Sequence, residues 1–445
     1  MALVWRHLLK KVLIISYYFM DKSVIGSVRS SGLARFLPSF GWDPVILTVR
    51  PKEAPASEPK DINIDPSSNL KIADTPLEDD PFIRWKKRFG LKADETVKQQ
   101  LNLGHNGNKN VSNTFSEGLL NFCGEMLVFP DEKIGWYRQA LERGRELLSE
   151  DEFDAIISTS SPVTSHLVAR SLKDEYGLAW VADMRDLWSQ SYLPRTFITK
   201  TRHRRLELKT LSAADSLTTV SQPLADKLKE LHKSKRVYAI LNGFDPDQMN
   251  PGAKLTDGFK IAYTGAIYKG KQDPEPLFRA LRELRSEAAI DLNDVSADFY
   301  GDNMGWLEDE VERFDLKGAV KIHGQISRDL SIEMQRESQM LLLLNWNDPG
   351  EMGVYTGKIF DYLSAQRPIL SIGAFPGVVG ELLQETRSGW HASSVDEIKL
   401  LVKRAYDEFK SNGRTSYHGS LAEIDRYSHR EMAKNFAQVL STLKA

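Results

Sequence analysis

Residues 340–344 read Met-Leu-Leu-Leu-Leu, an apolar run without alternation, and the polar stretch Asn345-Trp346-Asn347-Asp348-Pro349-Gly350 closes it. A run this short and apolar at every position reads as a parallel strand buried on both faces. Thr356-Gly357 then leads into a helical pattern whose apolar stripe is Ile359, Phe360, Tyr362 and Leu363, and Arg367-Pro368 ends it. Ile369-Leu370-Ser371-Ile372 starts a second buried strand. Strand, loop, helix and strand in this order point to an open α/β sheet. The loop then lies at the carboxyl end of the sheet, where such folds bind ligands.

A helix entered there through Gly353 and Gly357 offers backbone N–H groups and a positive dipole end, both suited to phosphate. Lys358 in the first turn adds a point charge. Asp361, one turn further on, can accept hydrogen bonds from a ribose diol. An ordinary βαβ unit with a surface lysine and a solvated aspartate would show the same pattern.

At 445 residues the chain is too long for one typical core, so two domains are expected. A net charge of -2 gives no reason to expect nucleic acid as a partner. The single cysteine, Cys123, excludes an intrachain disulfide and fits a reducing compartment. No apolar stretch reaches the ~18 residues of a membrane span. Residues 1–19 resemble a signal peptide superficially, but Arg6, Lys10 and Lys11 interrupt the apolar part and no small-residue cleavage site follows. A cytoplasmic location is the expectation.

The pattern at 11–16 predicts the first strand, with a helix from about 28 to 40 behind it and a second strand at 44–48. Gly26 and Ser27 fall at that helix's N-terminus and Arg29 in its first turn. The turn lacks GxGxxG, so a dinucleotide fingerprint is absent. Residues 51–125 are rich in Pro, Asn and Gly and read as a long insertion, with a short strand at Leu70-Lys71-Ile72. Within it, residues 82–89 mix Phe82, Trp85 and Phe89 with Arg84, Lys86, Lys87 and Arg88. Such a segment suits an anionic bilayer surface, or a short amphipathic helix packed on its own domain. Further strands are expected at 155–158 and 180–183. The second ends in the polar cluster Asp183, Arg185 and Asp186, and His166 lies on the helix between them. Lys200, Arg202, Arg204, Arg205 and Lys209 read as a solvated helix face. A polar linker at 246–258 separates an N-terminal domain, 1–245, from a second domain, 259–420. A last helix at 421–445 is expected to pack back on the first domain. The expected fold class is α/β: two doubly wound, Rossmann-like domains facing a central cleft.

Taken in order, these pieces resemble the retaining glycosyltransferases of family 4, which have the GT-B fold. The first half carries KVLIISYYF, GSVRSSGLARFLPSFGWDPVILT, STSSPVTSHLVA, WVADMRDLW, TTVSQPLADKL and LNGFDPDQMNP. The second carries IAYTGAIYKGKQDPEPL, FYGDN, VKIHGQI and GVYTGKIFDYLSAQRPIL, then VVGELLQETRSGW. The match covers nearly the whole chain outside 51–125. Single pieces are weak; their ordered spacing is strong.

The resemblance implies transfer of a sugar from a nucleotide-diphosphate sugar to a glycan or lipid-linked acceptor, in polysaccharide or glycolipid assembly at the inner face of a membrane. The donor would lie mainly on the second domain, against Gly265, Lys269, Lys271, Glu351, Gly353, Val354, Tyr355, Thr356, Gly357, Lys358 and Asp361. The acceptor side would use Gly26, Ser27 and Arg29, with His166, Asp183, Arg185 and Asp186 as the catalytic group. The Glu-x7-Glu motif of the family falls on Gly353 and Asp361, so the first acid is missing and Glu351 stands two residues off register. The Arg and Lys that bracket the diphosphate fall on Ala266 and Lys271. No cofactor and no metal are expected, because backbone N–H groups and lysines would meet the leaving diphosphate. Asp245-Pro246-Asp247 spells Asp-x-Asp but follows an Asn-Gly turn, and is not read as a metal site. A nucleotide-sugar 2-epimerase of the same fold, or a non-catalytic sugar-nucleotide-binding homologue, are the alternatives.

Overall fold

The computed structural model describes residues 9–20, 25–50, 70–76, 129–191, 196–249, 252–302 and 304–443. The expected basic-aromatic segment 82–89 and Cys123 lie outside them. The chain divides into two units. One comprises Met1–Val220, Ala225–Ile240 and Ala433–Ala445; the other comprises Ser221–Leu224 and Leu241–Met432.

In the first unit the strands are β1 (Lys10–Ile15), β2 (Trp42–Val49), β3 (Lys71–Thr75), β4 (Ala155–Thr159), β5 (Ala179–Asp183), β6 (Ser216–Thr219) and β7 (Arg236–Ala239). They form one sheet in the order β3-β2-β1-β4-β5-β6-β7, and each neighbouring pair is parallel. The chain winds outward from β1 to β3, then returns to β1's other side and winds away, so the switch point lies between β1 and β4. All five residues of β4 and of β5 are buried, as strands covered on both faces require. The helices are α1 (Ile25–Phe36), α2 (Tyr137–Glu150), α3 (Thr164–Tyr176), α4 (Phe197–Leu211) and α5 (Gln222–Leu231), the last from Ala225 onward, its first residues counting with the second unit.

Two expectations need correction here. The first helix begins at Ile25, so Gly26 and Ser27 sit inside its first turn. Small residues hid that start, and the Ser30 hydroxyl bonds back to the Gly26 carbonyl at 2.8 Å within the helix. β3 is also longer than the expected 70–72 and is integral to the sheet. Asp74 on β3 pairs with Arg50 at 2.5 Å, and Trp136 Nε1 donates to Thr75 Oγ1 at 2.7 Å. This part of 51–125 is therefore sheet and not insertion.

The second unit repeats the plan with β8 (Phe259–Thr264), β9 (Val295–Tyr300), β10 (Val320–Gly324), β11 (Met340–Leu344), β12 (Ile369–Ile372) and β13 (Gly389–Ala392). Their order is β10-β9-β8-β11-β12-β13, again parallel throughout, with the switch point between β8 and β11. β11 is the expected doubly buried strand. Met340, Leu342 and Leu344 enter the core with Phe259, Phe278 and Phe299, while Leu341 and Leu343 pack with Phe360 and Tyr362 on the opposite face. The remaining helices are α6 (Glu275–Ser286), α7 (Trp306–Arg313), α8 (Arg328–Glu337), α9 (Lys358–Ala365), α10 (Gly377–Thr386), α11 (Val395–Asn412), α12 (Leu421–Asp425) and α13 (His429–Ser441). From residue 433 onward α13 counts with the first unit. Among the described residues no helix is long and apolar enough to cross a membrane.

Candidate functional site

In the second unit, the carboxyl ends of β8 and β11 are tied together by residue 272, which the sequence did not single out. Gln272 is buried, and its Nε2 donates to the Leu344 carbonyl at 2.7 Å while its Oε1 accepts from the Tyr268 N–H at 3.1 Å. The Asn347 N–H adds a bond to the Lys271 carbonyl at 2.9 Å. The loop after β8 turns at Gly265, whose φ of 98° lies in the region open mainly to glycine. Lys269 lies over the Trp306 ring and Lys271 over the Trp346 ring, at 5.0 and 4.5 Å from the centroids.

α9 faces this loop. The Ile359 and Phe360 N–H groups close its first turn on the Thr356 and Gly357 carbonyls. The N–H of Val354 is already used by the Glu351 carbonyl at 3.1 Å. Tyr355, half-buried, packs its ring 5.9 Å from that of Phe360. Thr356 Oγ1 is buried and has no hydrogen-bond partner among the described residues. Such a group costs stability unless something pairs with it.

Lys358 reaches back across Gly265 to β8. Its Nζ donates to the Tyr263 hydroxyl at 2.5 Å and approaches the Ala266 carbonyl at 3.3 Å, and it lies 4.1 Å from the Tyr263 ring centroid. Among the described residues it forms no ion pair with a carboxylate. Desolvation brings its pKa down to about 7. Asp361 is gripped by Arg328, the first residue of α8, with contacts of 2.8 and 3.3 Å. Burial pushes the Asp361 carboxyl up and Arg328 pulls it back, leaving it above the ordinary carboxylate value. Nothing in the sequence pattern had marked Arg328, because the helical stripe of α8 starts after it.

Gly353 stands where a side chain has no room. A Cβ there would come 2.7 Å from Pro223 Cβ, and the Gly353 carbonyl accepts from Ser221 Oγ at 2.6 Å. Ser221–Leu224 belong to this same unit. Glu351 is half-buried in the 3-10 turn Pro349–Glu351.

In the first unit the expected catalytic group separates into two kinds of residue. Asp183 is buried, and both oxygens are saturated. Arg29 Nη2 and Thr218 Oγ1 donate to Oδ1 at 2.9 and 2.7 Å, and Arg29 Nε and Thr159 Oγ1 donate to Oδ2 at 2.9 and 3.0 Å. Burial alone would raise its pKa, but the Arg29 charge and these hydrogen bonds outweigh it and hold the carboxyl low. A carboxylate offers about four acceptor sites, and all are filled. Asp183 and Arg29 therefore anchor β4, β5, β6 and α1 to one another and offer no free site to an acceptor. Arg29 also donates to the Ile240 carbonyl at 3.0 Å and lies 5.2 Å from the Phe436 ring centroid.

His166 is fully buried on α3. Trp180 Nε1 donates to Ser158 Oγ at 2.8 Å, and that hydroxyl stands 2.7 Å from His166 Nδ1. Nε2 has no partner, and burial lowers the imidazole pKa to about 4. Asp186 is exposed, whereas the Arg185 side chain is only 13% exposed. The Arg185 guanidinium lies against Gly26, where a Cβ would come 2.2 Å from Nη1, and among the described residues its nearest acceptors are the Ser161 carbonyl at 3.5 Å and Asp186 at 3.6 Å. Ser27 is buried in the first turn of α1. The start of α3 is closed by Asp131, which accepts from the Thr164 N–H and hydroxyl at 2.8 Å each.

Among the described residues no group of three or more His, Cys, Asp or Glu could hold a metal ion. Asp245 instead caps the turn Pro246–Gln248 by accepting from the Asp247 N–H.

No family model and no curated protein matches the sequence. Solved structures do match, over nearly the whole of both chains, and they define the fold as GT-B. Anabaena HepE in complex with UDP and glucose superposes with a TM-score of 0.58 at 12% identity, covering 98% of this chain and 100% of its own. An E. coli structure described as trehalose-6-phosphate bound with UDP-2-fluoro glucose gives 0.60 at 13%, covering 98% and 99%. The lipopolysaccharide outer core galactosyltransferase WaaB in its apo form gives 0.54 at 14%, covering 97% and 100%.

Proposed function

We propose that this chain is a retaining glycosyltransferase that moves a sugar from a nucleotide-diphosphate sugar to a glycan or lipid-linked acceptor. The observation that carries the reading is the cradle at the β8–β11 switch point, where Lys358, the unpaired Thr356 hydroxyl and the Arg328-held Asp361 converge on the start of α9. The similar structures solved with UDP or a UDP-sugar support the same assignment.

Cleaving the sugar–phosphate bond leaves charge on the departing diphosphate. The positive end of α9 and the Lys358 amine meet that charge, with Lys269 and Lys271 on the facing loop; such preorganised donors stabilise a developing anion without reorganisation. Asp361 accepts from a ribose hydroxyl while Arg328 fixes its orientation. In a same-face displacement the bond from the anomeric carbon to the phosphate oxygen breaks as the acceptor oxygen bonds to that carbon. The acceptor proton passes to the leaving phosphate, so no enzyme nucleophile is needed. Arg185 and Asp186, the members of the first-unit cluster not saturated by hydrogen bonds, are assigned to the acceptor. The enzyme would work at the cytoplasmic face of a membrane without a metal ion.

A second reading is a protein that binds sugar nucleotides without transferring them. It is favoured by the crowding at Gly353, which leaves no room for the acid of the family pattern. A thermal-shift panel of nucleotide sugars comes first. A ligand at 100 times its Kd adds about 2.7 kcal/mol of stability. Asp361→Asn is expected to weaken donor affinity by roughly tenfold or more, since a charged hydrogen bond contributes about 1.5–3 kcal/mol. Unchanged affinity removes Asp361 from the site. Transfer to a glycan acceptor with the donor's anomeric configuration kept supports the enzyme, and donor binding without transfer or hydrolysis supports the second reading.

A further inference from the structure

α4 turns its only acid inward and its cations outward. Glu207 is buried and accepts from the Ser189 N–H at 2.9 Å, with His232 Nε2 at 3.2 Å from its other oxygen. Thr199, His203, Thr210 and Leu211 share that inner face, and Trp188 Nε1 donates to His203 Nδ1 at 2.8 Å. The outer face follows the helical repeat. Phe197, Ile198 and Leu208 lie along it, 84%, 56% and 38% exposed. Lys200, Arg204, Arg205 and Lys209 are interleaved with these residues around the outer face, Ile198 falling between Arg205 and Lys209 at the helical repeat, and all four are exposed. Arg202 instead turns onto the Phe129 ring, 4.3 Å from its centroid. One acid, Glu230, borders the shallow groove beside Phe197, Lys200 and Arg204.

We infer that the outer face of α4 is a membrane-docking surface that lies flat on a bilayer rich in anionic lipid, with Phe197 and Ile198 entering the headgroup boundary. The charge pattern selects the partner. Exposed apolar residues set among cations on one helix face match an interface whose acyl region is apolar and whose headgroups are negative. A nucleic acid would use the cations and could stack on Phe197, but it has no use for the aliphatic Ile198 and Leu208. A solvated face, as read from the basic residues alone, would not leave a Phe and an Ile side by side at such exposure. The surface lies wholly within the first unit and does not depend on the donor assignment.

The test is co-sedimentation of the full chain with phosphatidylcholine vesicles, with and without phosphatidylglycerol. Binding is expected only with the anionic lipid and is expected to weaken as salt rises. Phe197→Ser with Ile198→Ser, and separately Arg204→Gln with Arg205→Gln, should each lower the affinity for the vesicles about thirtyfold, as two residues each contributing on the order of 1 kcal/mol imply. Leu400→Ser, which removes an equally isolated exposed leucine of α11, should change nothing; Leu400 is 69% exposed. All these positions are exposed, so unchanged melting temperatures should show that folding survives. No binding by the unaltered chain overturns the inference, as does binding that both double variants retain. Binding to a single-stranded oligonucleotide that falls with the arginine variants and ignores Ile198→Ser also overturns it. Donor-induced thermal shifts should be the same in every variant, so failure here leaves the donor reading standing.

Discussion

Lys358 should make the proposed donor site sensitive to pH, with a definite sign. Only the protonated amine attracts a diphosphate, and desolvation sets its pKa to about 7 in the free chain. Below that value the charge is already present and affinity should be flat. Above it, binding must recapture a proton, so affinity should fall toward tenfold per pH unit. A nucleotide sugar is the right probe, since its diphosphate does not titrate near neutrality. Calorimetry across pH should show this slope and proton uptake, and Lys358→Arg should flatten both. His166 affects stability. Its pKa is lowered from 6.5 to about 4 by burial, so the unfolded chain takes up a proton first on acidification. The stability it contributes is complete above pH 6.5 and is lost down to about 4, a loss on the order of 3 kcal/mol. Urea titrations should show that limb, and His166→Gln should remove it. At this scale the sequence was only partly legible. Lys358 and Asp361 were readable because a strand–loop–helix pattern fixes where α9 begins. Arg328, Gln272 and Asp131 were not, because each acts across the fold on a residue distant in sequence. Asp183 was recognisable as a strand-end acid, but its saturation by Arg29, Thr159 and Thr218 depends on three other elements.

Among the elements, β11 and α9 were the most legible, since an unbroken apolar run and a clean helical stripe leave few alternatives. α1 was blurred by Gly26, Ser27 and Ser30, whose small side chains carry no periodic signal. α4 showed its basic residues in sequence but not which of its faces was buried, so the outward position of Phe197 emerged only with the fold. The loop before α9 carries a prediction of its own. Gly353→Glu would restore the acid of the family pattern, yet its Cβ would meet Pro223 at 2.7 Å. It should destabilise the chain by roughly 1–3 kcal/mol, as overpacking does, and give no gain in transfer. A lower melting temperature together with higher activity would show that the loop yields to admit the acid.

For the whole molecule, two sheets wound in the same sense supply two switch points, and the order of apolar runs and turns was enough to anticipate both. The residues proposed above to hold the donor all belong to the second unit. Hydrogen exchange with a saturating nucleotide sugar should therefore slow at residues 265–274 and 353–361. The amides at the carboxyl ends of β1 and β4 should change little. Equal protection at both places would require the donor to engage the first unit as well.

The order in which the chain is made adds a last consequence. Phe436 covers the Arg29 guanidinium that holds Asp183, yet some four hundred residues separate the two in synthesis. A ribosome therefore releases β1, α1, β4 and β5 long before the aromatic ring that seals their shared ion pair. Until residues 433–443 emerge, that buried charge pair lacks its cover. Nascent or truncated chains should thus leave that ion pair open to water, and a chain ending at residue 432 should be cut within the first unit by a protease faster than the full chain.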